Sequence, residues 1–165
     1  METGKILIIL GGILTLLGTY VFAIYGSAGL FAGSGIGFII NLPDLFGNAD
    51  AIALATGWDV IFIYIFTILF LIFLASGILQ LAGIKYRILA FIFSLFPLVV
   101  GAMILILFYT DILGPTTGIF TLYFIGEHFA DFFPIIVNLG DVGLGTYFLV
   151  AGGALGLVSV FLPRD

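Results

Sequence analysis

Residues 60–109 read VIFIYIFTILFLIFLASGILQLA, then GIKYR, then ILAFIFSLFPLVVGAMILILFY, and this stretch decides the fold. Two apolar runs, each free of charge, are joined by a five-residue turn that carries Lys85 and Arg87. A helix rises about 1.5 Å per residue, so roughly 20 apolar residues cross a bilayer core. Each run therefore reads as a transmembrane helix, and the turn between them forces the two helices to be antiparallel neighbours.

Working outward, two further charge-free apolar stretches occupy residues 6–25 and 142–162. The expectation is an all-α integral membrane protein: a single domain over residues 1–165, built as a four-transmembrane-helix bundle with spans at about 6–25, 60–82, 88–109 and 142–162. Composition agrees, because 63% of the chain is hydrophobic and 8% charged, whereas a soluble domain carries about a quarter charged residues. The first span reads as a retained helix, since its apolar run exceeds that of a usual signal peptide.

The basic residues set the orientation. Lys5, Lys85, Arg87 and Arg164 fall on one side of such a chain. The positive-inside rule makes that side cytoplasmic. Both termini are then expected in the cytoplasm of a multi-pass cell-membrane protein, with loops 26–59 and 110–141 outside. Asp44, Asp50, Asp59, Asp111, Glu127, Asp131 and Asp141 collect at the outer edge or in those loops.

The layout resembles that of four-span tetraspan proteins such as claudins and tetraspanins, with a short turn between spans two and three. The resemblance covers topology only. The Trp and paired Cys of claudins are missing, as is the Cys-Cys-Gly of tetraspanins, so no function is carried over.

Small residues recur in the first and last spans. Gly11, Thr15 and Thr19 form one ridge, Gly152 and Gly156 form a GxxxG pair, and Gly18 and Gly153 add small residues beside them. Small side chains let helix backbones approach closely in lipid, so these residues are expected to pack the two helices together or to form a subunit contact. Pro97 is expected to kink the third span.

The outer loops are unusually apolar. The first contains GLFAGSGIGFII from Gly29 to Ile40, read as a buried loop, with a short helix beginning near Asn48 or Asp50 and stopping at Gly57. The second is expected to hold an amphipathic interfacial helix from Thr117 to Phe133. Ile119, Leu122, Tyr123, Ile125, Phe129, Ala130, Phe132 and Phe133 fall on its apolar face. Its polar face is interrupted by Phe120 and Phe124. Phe31, Phe38, Leu122, Phe129, Phe132 and Phe133 are the candidate contacts to another chain, because a lone bundle would expose so large an apolar surface to water.

Chemistry is sparse. Glu127, His128 and Asp131 share a helical face and are weak candidates for a metal site or proton shuttle. The simpler reading is a solvated polar face, so no cofactor, no metal and no catalytic residue is expected. The chain has no Cys. It has no P-loop and no nucleophile elbow, no basic patch for nucleic acid, and no charge within the spans for ion-coupled transport. The expectation is a non-enzymatic membrane scaffold or accessory subunit, partnered by the lipid bilayer. It would self-associate as a homo-oligomer or join a membrane complex through its outer loops. The alternatives are an oligomeric channel or carrier for a small solute, and a metal-dependent membrane enzyme.

Overall fold

The computed structural model describes residues 2–27, 31–112, 120, 123–126 and 133–163. Helix α1, Thr3–Leu16, runs on through a π-helical turn, Leu17–Val21. Strands β1, Tyr25–Ser27, and β2, Phe31–Gly33, follow. Then come α2, Gly35–Gly47, and α3, Ala49–Thr56. The two long helices are α4, Val60–Ala82, and α5, Arg87–Tyr109. Short strands β3, Ile125–Gly126, β4, Asn138–Leu139, and β5, Val142–Gly143, precede the last helix, α6, Leu144–Val160. The fold is thus mostly helical.

Among the described residues, three helices are long and apolar enough to cross a membrane: Thr3–Val21, Val60–Ala82 and Arg87–Tyr109. Helix α6 is also apolar but has 17 residues. Helices α2 and α3 are bent by 88° at Asn48.

Helices α1, α4, α5 and α6 form the bundle, and α6 lies against both α1 and α5. Glycines set the spacing. A Cβ on Gly11 would lie 2.7 Å from the Gly152 carbonyl oxygen, and one on Gly18 would lie 2.6 Å from that of Gly145. These two helices therefore meet backbone to backbone, which only residues without side chains permit. Gly152 faces Thr15, whereas Gly153 faces Leu98 and the Ser94 carbonyl of α5.

The two long loops fold into a cap at one end of the bundle. Strands β1, β2 and β3 form an antiparallel sheet in that order, with Ala32 opposite Gly126 and Gly33 opposite Ile125. Strands β4 and β5 make a tight hairpin, turned at Gly140 with φ 71°, a conformation open to glycine.

This pairing corrects the expected second-loop helix. Phe120, Tyr123 and Phe124 are helical, but Ile125 and Gly126 already belong to the sheet, so no helix runs on to Phe133. The backbone donors and acceptors there are consumed across the sheet rather than along a helix. The buried face also differs. Phe120 and Phe124, expected to interrupt a polar face, are core residues beside Tyr123.

The first loop departs from expectation as well. Much of the apolar stretch read as loop is α2, whose N-terminus is capped by the Ser34 hydroxyl accepting from Gly37 N–H at 3.1 Å. Helix α3 ends at Gly57, which takes a left-handed φ of 71°.

Candidate functional site

Gln80 is the one amide in the four apolar runs, and its burial defines the first candidate site. It is wholly buried where α1, α4, α5 and α6 converge. The Thr15 hydroxyl of α1 donates to Gln80 Oε1 at 2.9 Å. Gln80 Nε2 donates to Ser94 Oγ of α5 at 3.0 Å and to the Gly152 carbonyl of α6 at 2.9 Å. Both amide protons and the amide oxygen are thus engaged. A buried amide without partners costs free energy, and here the three helices around α4 supply them. The neighbouring hydroxyls are also committed: Thr19 donates to the Thr15 carbonyl at 2.7 Å, and Ser76 to the Phe73 carbonyl at 2.6 Å. The junction holds no ionisable group, so its chemistry is that of a helix clamp.

The second candidate site is the aromatic interior of the cap. Phe124 packs on Phe70 with ring centroids 4.9 Å apart, and Tyr123 packs on the same ring at 5.2 Å. Phe38 of α2 meets Phe70 at 5.8 Å, and Phe120 lies 5.6 Å from Trp58. Burial pushes the Tyr25 hydroxyl well above the ordinary tyrosine range, against the effect of its hydrogen bond with the Phe124 backbone. Burial also raises the Tyr123 hydroxyl, with the Thr67 side chain acting in the opposite sense. Thr67 Oγ1 itself donates to the Ile63 carbonyl at 2.8 Å. The contact between Tyr123 and Thr67 falls short of a well-formed hydrogen bond, leaving Tyr123 Oη without a partner among the described residues.

Side chains also satisfy the irregular backbone of the cap. Asn41 Nδ2 donates to the carbonyls of Ile125 at 2.6 Å and Tyr123 at 3.3 Å. Asn138 Nδ2 donates to the Gly26 carbonyl at 2.9 Å, and the Thr146 hydroxyl to that of Ile24 at 2.7 Å. These asparagines lock the two loops onto one another.

The residues expected to act in function separate into groups. Gly11, Thr15, Gly18, Gly152, Gly153 and Gly156 all lie inside the bundle, at helix contacts within one chain. Phe38, expected at a partner contact, is fully buried in the chain's own core. The reason is its fit between Phe70, Tyr123 and Phe124. Phe31 is exposed and Phe133 half-buried. Leu122, Phe129 and Phe132 lie outside the described residues, as do Glu127, His128 and Asp131. Among the described residues, no three His, Asp or Glu side chains gather to hold a metal. The Gln80 junction escaped the sequence reading as a site, although a lone amide in a charge-free run was its signal.

No protein-family model, no curated protein and no solved structure matches this chain.

Proposed function

We propose that the chain is an integral membrane protein that crosses the bilayer with α1, α4, α5 and α6, and that it works as a non-enzymatic scaffold or accessory subunit. Helix α6 is the fourth span on this reading because it fills the bundle between α1 and α5, whereas α2 and α3 are bent away from a common axis. Lys5 and the Lys85–Arg87 turn lie at the end opposite the cap, where Gly4 N–H also bonds the Pro163 carbonyl at 3.2 Å. That charge placement supports cytoplasmic termini and an outer cap.

The observation that carries the scaffold reading is apolar surface on the cap near the ends of α5 and α6. Phe31, Val137 and Leu139 are 41%, 41% and 48% exposed. Such a surface fits another membrane chain, identical or different. The Gln80 junction favours a structural role over a conducting one, because glycine contacts and the amide fill the bundle axis. A channel would have to form between copies.

The test is purification from native membranes in mild detergent, followed by native mass measurement of the parent and of a Val137→Asp, Leu139→Asp double variant. The expected result is a parent complex, with copies of this chain or other chains, that the double variant loses. A parent that runs as a single chain, or a double variant that keeps its partners, overturns the scaffold reading.

A further inference from the structure

Contacts with α4 fix the depths of α1 and α2 along it. On the face shared with α1, Gly12 meets Leu81, Gly77 meets Leu16, and the Tyr20 hydroxyl bonds the Leu74 carbonyl at 2.7 Å. The π-helical turn that prolongs α1 therefore ends level with about Leu74, about 21 Å inward from Val60 at the helical rise of 1.5 Å per residue. Helix α2 begins at that same depth, because a Cβ on Gly35 would meet both Thr19 and Leu74. It then climbs along α4 in the opposite direction, with Phe38 on Phe70 and Phe46 stacked on Tyr64. Ile40 is consequently level with about Ile68, roughly 12 Å inward from Val60.

We propose that α2 re-enters the outer half of the bilayer and lays its exposed face against lipid acyl chains, with α3 lying along the headgroup region. The inference rests on reading α4 as a membrane span. Three observations carry it. The exposed face of α2, with Ile39 and Ile40 at 45% and 48%, is level with the exposed Ile68 and Leu69 of α4. The apolar stripe of α4 thus continues onto α2 at the same depth.

The second observation is polar satisfaction. Backbone of irregular form persists at membrane depth only where its polar groups are met within the protein. Asn41 does this from α2 itself, reaching the Tyr123 and Ile125 carbonyls, and Ser34 N–H bonds the Phe124 carbonyl at 2.8 Å. The third is the position of charge. Asp44, exposed one turn after Ile40, is the first ionisable residue of α2 and marks where the helix meets water. Beyond it the 88° bend turns α3 away from the α2 axis. The strongly exposed Leu54 on α3 then falls at the depth where short amphipathic helices rest on bilayers.

The chain lacks cysteine, so single-cysteine variants need no prior removal of native thiols. Ile40→Cys, Asp44→Cys and Ile68→Cys would each carry a nitroxide in phosphatidylcholine vesicles. Relaxation by molecular oxygen, which concentrates in hydrocarbon, would be compared with relaxation by a water-soluble nickel complex. The expected result is that positions 68 and 40 are open to oxygen and shielded from nickel, while position 44 is open to nickel. If position 68 behaves as lipid-facing but position 40 is open to nickel, α2 lies in water and the re-entrant reading is overturned. If position 40 is shielded from both reagents, another protein chain covers it, and the lipid assignment is equally overturned. Nickel access at position 68 would instead remove the membrane span itself, and this inference with it.

Discussion

Replacing Gln80 with leucine tests whether the four helices are held by the amide or only by packed glycines. The substitution keeps a side chain of similar bulk but removes three interhelical hydrogen bonds, to Thr15, Ser94 and Gly152. Interhelical hydrogen bonds in membrane proteins contribute about 0.6 kcal/mol each on average, which gives roughly 2 kcal/mol for three. The cost stays modest because the orphaned groups have other partners within reach. The Thr15 and Ser94 hydroxyls can turn to carbonyls one turn back in their own helices, as Thr19 does. Gln80→Ala should cost about 1–2 kcal/mol more, since it also opens a void at a fully buried position. The assay is reversible unfolding in mixed micelles, with Ile78→Ala as the control on an exposed position of the same helix. A Gln80→Leu variant within about 0.5 kcal/mol of the parent would refute the clamp and leave the glycine contacts as the whole of the cohesion.

Three other experiments probe the rest of the architecture. Gly11→Leu and Gly152→Leu should each abolish a stable fold in detergent, because a Cβ at either position meets opposing backbone at 2.7 Å, whereas Gly47→Ala, with open space around it, should melt with the parent. Tyr123→Phe should leave stability unchanged or raise it by up to about 1 kcal/mol. A loss of that size would instead mean that Thr67 accepts a true hydrogen bond from Tyr123. Cysteine at Lys85 should react with an impermeant reagent only after cells are opened, and labelling of intact cells would reverse the proposed orientation.

The long helices were legible because hydropathy and length suffice for them. Residues 60–82 match α4, and residues 88–109 match α5 apart from Arg87. The cap was harder to read. Glycines at 35 and 37 and Pro43 argue against a helix on propensity alone, yet α2 forms there because Phe38 and Asn41 gain contacts with the second loop that no local rule contains. In the second loop, periodicity located helical residues and set Tyr123 on the buried face, but it left Phe120 and Phe124 on the polar face although both are buried. Aromatic side chains occur on both faces of that segment, and only the aromatic rings of α4 decide which are buried. The Gln80 clamp was hidden for a related reason: the partners of an amide are set by how four helices are arranged around it.

Helix lengths account for the unusual hydrophobicity of the two loops. Thr3–Val21 and α6 have 19 and 17 residues, while α4 and α5 have 23 each. At 1.5 Å per residue the first pair is about 6–9 Å shorter than the second. Because α1 and its π-helical extension end level with about Leu74, the cap-end segment of α4 lacks a bundle helix on that side. Phe70 and Phe73 of α4, with Leu107 of α5, would face an open cleft there. Phe38, Phe120, Tyr123 and Phe124 fill it from the loops, and all of them join the same core cluster. Each large side chain buried in this way contributes about 1.5–3 kcal/mol where water would otherwise enter. Loops with this task must be apolar even when no second chain is present. Their composition is therefore weaker support for a partner than it looks in the bare sequence. What remains for a partner to recognise is the smaller apolar surface that the cap leaves exposed at Phe31, Val137 and Leu139.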